Sequence, residues 1–204
     1  FINLLRPLVD AGVDSLGILG STGSYAYLTV EERTHITRCA VEHANGIPVM
    51  VSIGALRLDD ILRLAEHAQK AGASSVLMAP VSYQRLTTDE VYSLYETVPR
   101  QLSVPLCVYD NPATTGFEFS DELMFAVAAL PNIGSVKMGH MPEDVSRVRA
   151  RLPKTVTLGI SGDWRAASAP QAGVGVWDSV VGRPVPPAAL ANSPSKDSME
   201  TRRL

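Results

Sequence analysis

Short apolar runs rich in β-branched residues alternate with amphipathic stretches along most of this chain. Seven such runs, Ser15–Leu19, Pro48–Ser52, Ser75–Ala79, Pro105–Tyr109, Ile133–Lys137, Val156–Ile160 and Val174–Val180, begin 18 to 33 residues apart. That spacing holds one strand and one crossover helix. Between them, Thr29-Val30-Glu31-Glu32 spells a capping box and predicts a helix to about Ala44. Leu58-Asp59-Asp60 opens another to Ala71, with Ile61, Leu62, Leu64, Ala65 and Ala68 as its buried stripe. Thr88-Asp89-Glu90, Ser120-Asp121-Glu122 and Met141-Pro142-Glu143-Asp144 open three more. Gly12 and Gly72, each followed by a strand, fit the position just past a helix end, and Gly173 is a weaker third case.

Near-continuous apolar strands alternating with helices predict an α/β fold with a parallel sheet covered by helices. Seven strands in unbroken rhythm favour a (β/α)8 TIM barrel over a doubly wound sheet. The barrel is expected to be incomplete. No strand precedes the opening helix Ile2–Ala11, and 204 residues fall short of the roughly 250 typical of this barrel. From Arg183 onward Pro, Ser and Asn replace any helical stripe. Residues 1–182 are therefore expected to form the barrel domain and 183–204 a disordered tail. Pro7, Pro99 and Pro170 fall within predicted helices, where each should kink or shorten its helix.

Composition narrows the partners. A net charge of −3 and 19% charged residues suit a soluble globular protein and give no reason to expect nucleic acid or an anionic membrane surface. No apolar run reaches membrane-spanning length. Cys39 and Cys107 lie far apart, a pattern that suggests reduced thiols in the cytoplasm rather than a disulfide framework. The first residues lack the charged start and cleavage site of a signal peptide and read as a chain entered partway through an element.

In a parallel barrel the chemistry gathers at the C-terminal strand ends. Lys137 ends the fifth run, where burial lowers an amine's pKa and frees it to attack a carbonyl. The other three lysines, Lys70, Lys154 and Lys196, occupy a helix end, a loop and the tail. Strand alternation sends Leu106, Val108 and Val136 toward the helices, and Cys107, Tyr109, Ser135 and Lys137 toward the barrel axis. Tyr109 and Lys137 then lie on adjacent strands at one level, so the phenol can pass protons to a lysine-bound substrate. Gly20-Ser21-Thr22-Gly23 offers backbone N–H groups and two hydroxyls to a carboxylate. It matches no nucleotide-binding loop. His35, His43 and His67 sit on predicted helices without ligand partners at useful spacing, so no metal is expected; His140 alone could line the mouth.

Gly20-Ser21-Thr22-Gly23, Tyr109-Asp110-Asn111-Pro112, Lys137 and Ser161-Gly162-Asp163 together resemble, in order and spacing, one family. It is the dihydrodipicolinate synthase and N-acetylneuraminate lyase family of pyruvate-dependent class I aldolases, and the likeness runs from about Leu4 to Gly182. The resemblance implies a (β/α)8 barrel, usually a homotetramer, with no cofactor and a lysine Schiff base to pyruvate. It makes Lys137 the Schiff-base lysine and Tyr109 the proton-relaying tyrosine. Ser21 and Thr22 become the pair that holds the pyruvate carboxylate and extends the relay, and Tyr83 the tyrosine lent across a subunit interface. Asp163 falls within the last matched motif, and Asp178 near a strand position whose carbonyl faces pyruvate.

Departures bear on specificity. Ser24 replaces a glutamate of the Gly-rich loop, and Thr114 an arginine that synthases use for the aldehyde's second carboxylate. Gly139 and Trp164 replace residues that sialic-acid lyases use for sugar hydroxyls. The expected function is a Schiff-base lyase or aldolase joining pyruvate, or another 2-keto acid, to an aldehyde, or releasing it. Alternatives are an aldolase or dehydratase of 2-keto-3-deoxy sugar acids, and a non-catalytic barrel fragment. A phosphate-binding barrel enzyme fits less well, because Gly182-Arg183-Pro184 supplies no anion loop.

Overall fold

A computed structural model describes residues 1–139, 145–161 and 175–177. Helix α1 (Ile2–Asp10) leads into β1 (Leu16–Ile18), followed by α2 (Val30–His43), β2 (Val49–Ser52), α3 (Leu58–Ala71) and β3 (Ser75–Met78). The alternation continues through α4 (Thr88–Thr97), β4 (Leu106–Asp110), the short α5 (Pro112–Thr115), α6 (Asp121–Ala128) and β5 (Ile133–Met138). Then come α7 (Val145–Arg151), β6 (Thr157–Ser161) and β7 (Gly175–Trp177). All seven strands are parallel and stand in chain order, β1-β2-β3-β4-β5-β6-β7, in a single sheet. A doubly wound sheet would reverse its strand order at a switch point. This one never reverses, which is the winding of a (β/α)8 barrel left incomplete.

Local chemistry explains the boundaries. Pro48 and Pro105 precede their strands rather than joining them, since neither has an N–H for the ladder. Their carbonyls still pair, with Leu16 N at 2.9 Å and Val76 N at 3.0 Å. The capping box opening α2 forms in full: Glu32 N donates to Thr29 Oγ1 at 3.1 Å and Thr29 N to Glu32 Oε2 at 2.8 Å. On α4 the cap is Thr87, one residue before the expected Thr88, because the box needs Glu90 three positions on. Gly72, at φ 93°, closes α3 in the left-handed region, and Gly12 turns the chain after α1 at φ 65°. Pro99 shortens α4, which passes into a 3-10 turn at Val98–Gln101. Pro7, by contrast, is accommodated inside α1. Pro170 and the tail 183–204 lie outside the described residues.

Two apolar layers result. The larger lies between the sheet's outer face and the helices, and holds Ile18, Val51, Val76, Val108 and Val136 with Leu64, Val91 and Val127. The smaller lines the inner face, with Met50, Leu77, Ala79, Cys107 and Tyr109. No described helix is long and apolar enough to cross a membrane.

Candidate active site

The inner layer carries the candidate residues because strand parity delivers them there. Cys107 pairs with Ser135, Val108 with Val136 and Tyr109 with Lys137 across β4 and β5. Tyr109 and Lys137 are thus neighbours at one level, as alternation predicts. Their register depends on a bulge. Leu106 pairs with Ile133 and Cys107 with Ser135, so Gly134 is the extra residue. A Cβ on Gly134 would stand 2.7 Å from the Cβ of Pro105, a rigid ring with nowhere to go. Glycine is required there, and the bulge keeps Lys137 opposite Tyr109.

The Lys137 amine lies 4.4 Å from the centre of the Tyr109 ring. Burial lowers its pKa below the ordinary 10.5, against a smaller opposing effect from a Cys107 thiolate. That opposing effect is absent at neutral pH. Burial pushes the Cys107 thiol up to about 11 despite hydrogen bonding to Ser135, so it stays uncharged. Desolvation therefore dominates, and the free amine is favoured relative to a lysine in water.

Tyr109 is 8% exposed, and its hydroxyl accepts a hydrogen bond from Asn111 Nδ2 at 3.0 Å. The phenolic proton remains available for transfer. Gly139 supports this arrangement from the far side of the turn. Its N–H donates to Asp110 O at 2.7 Å, and a Cβ there would meet Asn111 Oδ1 at 3.1 Å. A side chain at 139 would press on the amide that holds Tyr109.

Other expected site residues stand apart from this pair. Ser21 and Thr22 are exposed in the turn after β1, on the same C-terminal rim but four strands from Lys137. Tyr83 follows β3 and is 91% exposed. Within this chain it does not reach the Tyr109–Lys137 pair. Asp163, Asp178 and His140 lie outside the described residues. Among those described, no three His, Cys, Asp or Glu side chains converge as metal ligands.

Arg33 and the Tyr25 ring it supports escape a reading of the sequence alone. Arg33 on α2 is 3% exposed; Nη1 donates to Gly54 O and Nη2 to Ser52 O, both at 2.9 Å. Its guanidinium lies 5.0 Å from the centre of the Tyr25 ring. Arg33, Thr37 and Ala40 are the buried residues of α2, spaced four and three apart. A charged residue within that stripe was the available signal.

The family model of the dihydrodipicolinate synthetase family matches residues 2–181. A 4-hydroxy-tetrahydrodipicolinate synthase from Dechloromonas aromatica is 30% identical over 171 residues, 82% of this chain and 58% of its own length. The crystal structure of a dihydrodipicolinate synthase from Agrobacterium tumefaciens superposes with a TM-score of 0.82 at 44% identity, covering 88% of this chain and 62% of that one. YagE from Escherichia coli, a prophage protein solved in complex with pyruvate, superposes with a TM-score of 0.78 at 26% identity, covering 87% and 62%. The chain thus spans about three-fifths of the length of these relatives. The match across nearly all seven strands, joined to the strand-borne lysine and tyrosine, places the chain in the dihydrodipicolinate synthetase family.

Proposed function

We propose that this chain carries the Schiff-base half of a class I aldolase or lyase that joins pyruvate to an aldehyde or releases it. The observation that carries the reading is the desolvated Lys137 amine packed on the Tyr109 ring. An uncharged amine attacks the ketone carbon of pyruvate, and Tyr109 protonates the departing hydroxyl as water leaves. The iminium draws electrons from the methyl carbon, so a proton departs readily and an enamine forms. That enamine adds to the aldehyde, and hydrolysis returns the amine. Ser21 and Thr22 hold the carboxylate of the keto acid, and the family resemblance assigns Asp163 and Asp178 to substrate binding as well. Tyr83, exposed as it is, serves a neighbouring subunit of a homotetramer.

On the aldehyde side, Thr114 spends its hydroxyl on Asn111 O at 3.3 Å and offers no cation for a second carboxylate. This favours a 2-keto-3-deoxy sugar acid over a dicarboxylic product. A relative 29% identical over 162 residues, a putative 2-dehydro-3-deoxy-D-gluconate aldolase of Escherichia coli, points the same way. The test is to offer the folded chain 2-keto-3-deoxy sugar acids and to measure pyruvate release, and pyruvate with short aldehydes and to measure its consumption. Turnover with the sugar acid and none with a carboxylated semialdehyde is expected. Indifference to every pair, in a sample that melts cooperatively, would overturn the reading.

A further inference from the structure

We propose that Tyr25 is a second acid–base phenol of this site, and that Arg33 is the residue that positions it. The inference rests on the aldolase reading above and adds a group to its proton chemistry. Tyr25 opens a 3-10 turn, Tyr25–Tyr27, directly after the hydroxyl loop, where Ser24 at φ 52° swings the chain around. Its side chain crosses the rim. A Cβ built on Gly54, just past β2, would stand 3.5 Å from the Tyr25 hydroxyl, 3.3 Å from Ala79 O and 3.5 Å from Val81 Cγ2. Val81 in turn packs on the inner layer that contains Tyr109. The phenol therefore ends beside the turn past β2, on the side where Val81 packs against the inner layer. Among the described residues its hydroxyl makes no hydrogen bond.

Arg33 accounts for that placement. Burying a guanidinium is expensive, and an apolar side chain would fill the same space at less cost. What an apolar residue cannot do is hold the Ser52 and Gly54 carbonyls while offering a flat cation beneath an aromatic ring. Gly54 is both the backbone that Arg33 grips and the gap that the Tyr25 hydroxyl occupies. Burial brings Arg33 down to about 10, still cationic at neutral pH. Burial also raises the Tyr25 pKa, opposed by Arg33 and reinforced by Tyr109. Tyr25 is thus a phenol in the resting site, beside a cation that steadies its anion once the proton has gone.

When the carbinolamine C–O bond breaks, water leaves with the Tyr109 proton and the nitrogen lone pair forms the C=N bond. The Tyr109 phenolate then draws a proton from Tyr25, directly or through water, and the Tyr25 phenolate rests against Arg33. When the methyl C–H bond of the iminium breaks, its proton restores Tyr25 through the same path, and the electron pair forms the enamine.

The experiment follows exchange of pyruvate methyl protons for deuterium by NMR, alongside borohydride trapping of the pyruvate adduct on Lys137. Tyr25→Phe removes one oxygen and keeps the ring on Arg33. It should slow exchange by about 10²-fold, the lower end for a positioned acid–base group, while leaving the trapped fraction unchanged. Arg33→Lys should slow exchange in the same direction. In the Tyr25→Phe background it should add nothing, because it acts through a hydroxyl already removed. Exchange at the parental rate in Tyr25→Phe, or full additivity of the two changes, would overturn this inference and leave the Schiff base standing. No adduct in the parent chain would overturn both.

Discussion

The tips of β4 and β5 and the turn after β1 share one rim, yet they bring their polar groups by different means. Tyr109 and Lys137 are strand residues: the ladder fixes their level, parity fixes their face, and the Gly134 bulge fixes their register. Ser21 and Thr22 hang from an exposed turn, and Tyr83 from an exposed loop. The first region is built and partly dehydrated by the chain's own sheet, and there burial lowers the amine's pKa. The second offers hydroxyls that water still reaches. The proposed nucleophile and acid thus belong to the strand-built part of the fold, while the groups proposed to hold substrate belong to its exposed turns.

Substitutions at the two regions should therefore differ in scale. Tyr109→Phe is expected to slow turnover by about 10²–10⁴-fold, whereas Ser21→Ala should mainly weaken the apparent affinity for the keto acid. Equal losses in turnover number for both would erase the distinction between the regions. Next in size is Gly134→Ala, whose methyl group meets the Pro105 ring. It should destabilise the fold by about 1–3 kcal/mol in urea unfolding, with a shifted midpoint and an unchanged slope. Unaltered stability would mean that the bulge does not set the register.

A smaller effect has the opposite sign. The Lys137 pKa is lower in the folded chain than in the unfolded one, so between the two values the unfolded state binds more protons and stability rises with pH. Lys137→Met removes the cost of partly desolvating an ionisable amine and should raise the melting midpoint at neutral pH by a few degrees, on the order seen for functional-site replacements. The gain should shrink as pH climbs past 10.5, where the parent amine is neutral in both states. A gain independent of pH would assign it to packing instead. Smallest of all, Tyr83→Ala should change the chain's own stability by no more than about 0.5 kcal/mol, since the ring is almost wholly exposed.

Much of this was legible from the sequence, for identifiable reasons. Two-residue alternation decides which face a side chain takes, so the Tyr109–Lys137 pairing follows from two short apolar runs. Capping boxes are local, so helix starts can be read directly, although only the position of Glu90 separates Thr87 from Thr88. The Gly134 bulge escapes because the ring it must clear, Pro105, stands just before the neighbouring strand, far away in sequence. Arg33 escapes because a charged residue on a helix is ordinarily solvated. Its partners are carbonyls of β2, which carry no signature in the sequence. Asn111 belongs to the matched Tyr109–Pro112 motif, but its hold on Tyr109 needs coordinates.

Every step of the proposed reaction begins with capture of a 2-keto acid by the partly desolvated Lys137 amine beside Tyr109. Its most direct test is to incubate the folded chain with pyruvate, reduce with borohydride and map the modified lysine by peptide mass spectrometry. A reduced pyruvate is expected on Lys137 and none on Lys70 or Lys154. Label on either of those lysines instead, or an unlabelled Lys137 in folded protein, would contradict it.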